Sequence, residues 1–480
     1  MAWNPELEAA FTPRSVAVLG ASTQPWGGGN FYIRGSVGLG FEGKIYPINP
    51  NAEEVLDLKC YPSLAAVPEV PDLVVVAVGA GRAEQALEEC IAKGARNIHM
   101  FTAGFAETGE EEGEALAERL RAIAKRGKLN IIGPNCMGIY SPRGRISSWA
   151  DLPTETGPVA MITQSGALAG EFVHMAPGHG LLMSKVISFG NGYVLDSTDY
   201  LEYFENDPET KYIAMYLEGV RDGRKLLAQV RRISLKKPVV IMKGGLTSAG
   251  ARAAASHTGA LAGEGAVWEA FFAQSGAIRV DSLEEMVDVL QALVLLPPCT
   301  GRNVCLVGNA GGTGVAAADT CSRNGLNLPT ISDAIQEELR SFIGLAGTSV
   351  RNPMDVGMQV GGPDGFVRVL ETVAKDPAID MFLMVMHVFA RTAGWRRGTR
   401  EMLKILLKFL RGSKRRKRHQ PFCLIIRRLS DSVETERNKL SATRTLVKAG
   451  VPVFDNVERA CRALYGYTGY YRWLAEQEER

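Results

Sequence analysis

SVAVLGASTQPWGGGNFYIRGSVGLGFEGKIYPINP, residues 15–50, holds the reading on which the fold turns. Its first residues form a short β-branched run that stops at a glycine-rich turn. A helix-compatible stretch follows, and a second short run closes in INP. The alternation continues outward through DLVVVAVG (72–79), NIHMFTAG (97–104) and LNIIGPN (129–135), separated by amphipathic segments such as AEQALEECIAKG (83–94). Near-continuous apolar strands between amphipathic helices mean a parallel sheet covered on both faces. The expectation is an α/β, doubly wound domain of nucleotide-binding type over residues 1–145.

The polar stretch SPRGRISSWADLPTETGP (141–158) reads as a linker. The wound pattern then restarts with VAMITQSG (159–166), KVISFGNG (185–192), YIAMYLEG (212–219) and KPVVIMKGG (237–245), which places a second domain over 155–298. A third start at NVCLVGNAGG (303–312), followed by DMFLMVMHVF (380–389), FCLIIRRL (422–429) and VPVF (451–454), predicts a third over 299–480. The predicted architecture is three consecutive wound parallel-sheet domains. Ligands in such sheets bind outside the carboxyl ends of the strands, so the residues just after each strand are where chemistry is expected.

Composition narrows the function classes. At 480 residues the chain has room for about three domains of roughly 150 residues each. Its 46% apolar and 22% charged residues are globular values that exclude a disordered or collagenous protein. With 54 Lys and Arg against 52 Asp and Glu, the net charge of +2 supplies no global field for nucleic acid or an anionic membrane. No apolar run reaches the roughly 18–20 residues needed to span a bilayer, and the N-terminal stretch lacks a signal-peptide pattern, so the expected location is cytoplasmic. Eight scattered cysteines without a CxxC pair read as buried thiols, and no histidine pair has metal-ligand spacing, so no metal site is expected in this chain.

Three loops stand out. In GASTQPWGGGNF (20–31) a glycine turn lets backbone amides approach a phosphate, with Ser22 and Thr23 as added hydroxyl donors. Its spacing is not GxGxxG and the second strand ends in a neutral INPN (48–51), which argues against NAD; the same residues also read as ordinary tight turns. In VAMITQSGALAGE (159–171) Ser165 and Gly166 open a helix whose N-terminus can seat an anion, or simply carries a common N-cap. The small-residue stretch TSAGARAAASHTGALAGEGA (247–266) holds one imidazole, His257, and reads either as a mobile loop bearing a nucleophile or as a tightly packed helix. Glu218, at the strand end YLEG, is a carboxylate that can accept an imidazole N–H and fix its tautomer. The basic run KRRKR (414–418), without interleaved aromatics, reads as a solvated loop, with no nucleic-acid partner expected. The aromatic YGYTGYYRW (465–473) reads as a packing or subunit contact.

In order along the chain, GAS with INP, GPNCMGI (133–139), TQSGALAG (163–170), YLEGVRDG (216–223), AAASHTGALAG (253–263) and VRNPMDV (350–356) resemble the α subunit of the ADP-forming acyl-CoA synthetases, in the succinyl-CoA synthetase superfamily. The resemblance implies a Rossmann-like CoA-binding domain followed by two flavodoxin-like ligase domains. It makes His257 the phosphohistidine, Glu218 its orienting partner, and Ser165 and Gly166 the phosphate seat. CoA is expected at Gly20, Ser22, Thr23, Asn49, Pro50, at Thr102, Ala103, Gly104 and Phe105, and at Asn135; Asn309 and His387 are expected at the acyl substrate, a small carboxylic acid. ATP or ADP and Mg²⁺ are expected on an ATP-grasp β subunit, in an α2β2 assembly. Two departures stand against the pattern. VAVGAG lacks a proline common in relatives, and MHVFART (386–392) replaces a glycine-rich loop of succinate-type enzymes, so the resemblance does not identify the acid. The competing classes are a non-catalytic CoA-binding or regulatory protein, which would not need His257 with Glu218, and a dehydrogenase, whose glycine fingerprint is missing.

Overall fold

Glycine turns and buried β-branched runs produce the predicted alternation in the computed structural model, which describes residues 5–252, 265–308, 311–344, 347–356, 360, 363–388, 406–407, 409 and 420–479. The first sheet is built from β1 (Ser15–Leu19), β2 (Lys44–Ile48), β5 (Leu73–Val76), β6 (Asn97–Met100) and β7 (Asn130–Ile132), in the order β2-β1-β5-β6-β7. A small antiparallel hairpin, β3 (Glu54–Val55) and β4 (Leu58–Lys59), follows β2. Every neighbour in the five-stranded sheet is parallel. All five residues of β1 and all four of β5 are buried, the signature of a sheet covered on both faces.

The second sheet runs β14-β13-β12-β10-β11-β8-β9. Its strands are β8 (Gly138–Ser141), β9 (Ile146–Ser147), β10 (Val159–Thr163), β11 (Met183–Ser188), β12 (Tyr212–Leu217), β13 (Val239–Lys243) and β14 (Ile278–Val280). The stretch read as a linker therefore supplies β9, and β8 pairs antiparallel with β11 before residue 145 is reached. Their shortness hid these two strands: they are four and two residues long, joined through a turn at SPRG, and have no continuous apolar run to betray them.

The third sheet, β15 (Val304–Val307), β16 (Met381–Val388), β17 (Phe422–Arg428) and β18 (Val453–Phe454), is parallel in sequence order. Isolated parallel bridges at Asn327 and Met354 extend it beside β15. Here the motif VRNPMDV is architectural: the Asn352 side chain accepts from the Leu306 amide at 3.0 Å and donates to the Val304 carbonyl at 2.7 Å.

The chain separates into two compact units, Met1–Pro177 with Leu181–Leu283, and Gly178–Gly180 with Glu284–Arg480. The first holds the first two sheets. The second takes in the helix Leu283–Leu295 from Glu284 onward, where Asp288 is ion-paired with Arg459 at 2.6 Å and the Gln291 side chain accepts from the Val453 amide. The C-terminal aromatic run lies in the helix Val457–Glu478, where Tyr467 and Tyr470 are buried and Tyr467 donates to the Pro297 carbonyl. Seven of the eight cysteines are buried thiols and Cys299 is half-buried. No helix among the described residues is long and apolar enough to cross a membrane.

Candidate functional site

Gly20 ends β1 at φ +90°, and a Cβ there would stand 2.3 Å from the Ala77 carbonyl oxygen. Only glycine lets this turn lie against the end of β5. Asn30, fully buried, ties the loop down: its Oδ1 accepts from the Ser22 amide at 2.9 Å and its Nδ2 donates to the carbonyls of Ser22 and Gln24. From the end of β2, Asn49 donates to the Ala21 carbonyl at 2.8 Å. The result is a cavity of about 610 Å³ at the carboxyl edge, lined by Gly20, Ser22, Asn49 and Pro50 and, from the loop after β5, by Arg82. Thr23 is exposed and does not line it.

The other expected CoA contacts gather elsewhere in the same unit. Gly104 and Phe105 donate their amides to Glu107 Oε1 at 2.7 and 3.1 Å, while Glu107 Oε2 accepts from Asn191 Nδ2 at 2.6 Å. Asn135, at φ +56°, reaches Asn191 Oδ1 at 3.4 Å, and the Ala106 amide donates to the Tyr193 hydroxyl. Thr102 spends its hydroxyl on the Val76 and Val78 carbonyls, Ala103 is exposed and Phe105 is buried against Tyr193. These loops form a seam between the first and second sheets.

On the second sheet, β10 and β12 are adjacent and parallel, so the residues that follow them meet. Ser165 caps the helix Gly166–Met175 by accepting from the Leu168 amide at 3.3 Å, which leaves the first amides of that helix for another acceptor. Gln164 joins the two loops, its side-chain oxygen accepting from the amides of Glu218 and Gly219. Glu218 is 5% exposed and its Oε1 accepts from the Tyr216 hydroxyl at 3.2 Å. Lys243, 6% exposed at the end of β13, donates to the Glu218 carbonyl at 2.9 Å. Burial lowers the Lys243 pKa to about 8, opposed by the negative charge of Glu218. A buried carboxylate, a buried ammonium and a capped helix N-terminus thus converge at one strand edge, an arrangement suited to holding an imidazole beside an anion.

His257 and Asn309 lie outside the described residues, as do the rest of SHTGA, Phe389 and the basic run 414–418. His387, within the run DMFLMVMHVF expected as a strand, is in β16 opposite Arg427 of β17; burial and the Arg427 charge lower its pKa.

Sequence reasoning passed over Asn30, Arg82, Gln164 and Lys243. A lysine ending an otherwise apolar strand, and an asparagine closing a glycine run, were the available signals for two of them. Gln164 and Arg82 have no local signature, because their roles depend on which loop lies opposite.

The profile of a CoA binding domain matches residues 14–142, that of a succinyl-CoA ligase like flavodoxin domain 156–293, and that of a Ligase-CoA domain 304–392. Fold and loops together therefore define a chain of the CoA-ligase class. The acetate–CoA ligase [ADP-forming] I subunit alpha of Pyrococcus furiosus is 34% identical over 482 residues, spanning 99% of this chain and 100% of that one. The II subunit alpha of the same organism is 37% identical over 392 residues, 80% of this chain and 82% of that one. Among solved structures, the Ca. Korarchaeum cryptofilum dinucleotide forming acetyl-coenzyme A synthetase 1 in complex with phosphate and ADP superposes with a TM-score of 0.84, at 30% identity and 98% coverage of both chains. The chain belongs to the α subunits of the ADP-forming acyl-CoA synthetases, in the succinyl-CoA synthetase superfamily, and is an acid–CoA ligase chain.

Proposed function

We propose that this chain, with an ATP-grasp β subunit in an α2β2 assembly in the cytoplasm, interconverts a small carboxylic acid, CoA and ATP with acyl-CoA, ADP and phosphate. The observation that carries the reading is the convergence of buried Glu218 with the Ser165-capped helix end, joined through Gln164. An acyl phosphate is cleaved by the CoA thiolate in one direction; in the other, phosphate displaces CoA from the thioester. The phosphoryl group passes through His257, with the Ser165–Gly166 helix end holding its oxygens and Glu218 accepting the other ring N–H. The imidazole must be neutral to attack phosphorus and is stabilised as a cation once phosphorylated, which a fixed carboxylate supports. CoA occupies the cavity of the first sheet, and Asn309 with His387 contributes to the acyl pocket. ATP or ADP and Mg²⁺ bind to the partner.

The test is to incubate the chain with ATP, Mg²⁺ and its ATP-grasp partner and to look for an acid-labile, alkali-stable phosphate. His257→Ala should abolish labelling and thioester synthesis while CoA still binds. Glu218→Gln should slow phosphorylation by about 10² or more. Near-normal turnover of His257→Ala, or ATP-dependent synthesis by the chain alone, overturns the reading.

A further inference from the structure

The cavity of the first sheet carries one positive side chain. Among its described lining residues the backbone turn at Gly20, the Ser22 hydroxyl and the Asn49 amide are neutral, Glu89 is acidic, and Arg82 is the single cation. Arg82 is exposed and forms no ion pair among the described residues, whereas the acids around it are answered: Glu84 pairs with Arg119 and Glu88 with Arg126. Its backbone is held by a tight turn, Ala80–Arg82, in which its amide donates to the Gly79 carbonyl at 2.9 Å. This turn follows β5 directly, and the contact of Gly20 with Ala77 brings it opposite the glycine loop.

CoA presents two kinds of phosphate: a pyrophosphate diester bridge and a terminal 3′-phosphomonoester on the ribose. A glycine turn offers backbone amides, which suit the spread charge of a pyrophosphate. The monoester is a compact group of about −1.5 to −2 charge and is matched by a guanidinium fork able to bond two of its oxygens. Glu89 does not stand in the way. It is seven residues farther along the helix Ala83–Lys93, about 10 Å at 1.5 Å per residue, and its Oε1 accepts from Gln85 Nε2 at 3.0 Å.

We propose that Arg82 recognises the 3′-phosphate of CoA and makes this chain discriminate CoA from dephospho-CoA. The inference rests on the reading that CoA occupies this cavity. Calorimetric titration of the full chain with both nucleotides separates the two. The wild type should bind CoA at least about tenfold more tightly than dephospho-CoA, the scale of one charge-assisted contact. Arg82→Ala should bring CoA down to the dephospho-CoA affinity and leave the latter unchanged, with Arg82→Lys intermediate. Arg82→Glu should favour dephospho-CoA. Truncation of an exposed side chain leaves the urea midpoint in place, which confirms that each variant is folded. Equal binding of the two nucleotides by the wild type, or an unchanged ratio in Arg82→Ala, overturns the assignment while CoA binding stands. Failure of the wild type to bind either nucleotide overturns the CoA reading and the Arg82 assignment with it.

Discussion

His99 sits in β6 with 1% of its surface exposed, its Nε2 2.8 Å from the Tyr32 hydroxyl and 3.2 Å from the Cys136 carbonyl. A side chain on Gly138 would collide with its ring. The sequence offered no ligand spacing for this residue, and its place in the core accounts for it. Burial lowers its pKa to about 4. Because that is below the unfolded value of about 6.5, the unfolded chain binds more protons between pH 4 and 6.5. Stability contributed by the neutral ring is therefore complete above about pH 6.5 and declines as pH falls toward 4. His99→Gln should be less stable than the wild type at pH 7.5, and its deficit should shrink by about 2 kcal/mol at pH 5. Urea denaturation at the two pH values measures this; a constant deficit contradicts it.

At the scale of elements, a chain of side-chain hydrogen bonds runs through the seam between the first two sheets. Asn135 meets Asn191, Asn191 donates to Glu107, and Glu107 collects the amides of Gly104 and Phe105. Glu107 thus occupies the backbone donors of two residues that the resemblance places around CoA. Asn191→Ala removes a charge-assisted bond and should cost about 1.5–3 kcal/mol, with faster hydrogen exchange first at Gly104 and Phe105. Asn191→Asp should be worse at neutral pH, since two carboxylates then face each other, and should recover as the pH is lowered. If Asn191→Asp is as stable as Asn191→Ala across pH 5–8, the seam does not depend on this contact.

For the whole molecule, division into two compact units makes ligand effects separable. A ligand that binds only the folded form stabilises by RT ln(1 + [L]/Kd), about 2.7 kcal/mol at a hundredfold excess over Kd. CoA at that excess should slow the globally exchanging amides of β1, β5 and β6 by roughly a hundredfold, while those of β15, β16 and β17 keep their rates. Equal protection of both sets in hydrogen-exchange mass spectrometry would place CoA outside the first unit or couple the two units in unfolding.

The sequence by itself determined the order of wound modules and the family, because strands buried on both faces are continuous apolar runs and the chemical loops follow them directly. β8 and β9 escaped it, being short strands at one end of the second sheet without such a run. What only the tertiary structure decided is which strand-end loops face a cavity and which face another sheet. Gly20, Asn49 and Arg82 open onto one space, whereas Thr102, Phe105 and Asn135 are taken up in the seam. The bonds that make this choice join residues 56 to 87 positions apart. Local composition carries no record of such pairs; they form only when two sheets pack and their loops must satisfy each other's buried polar groups.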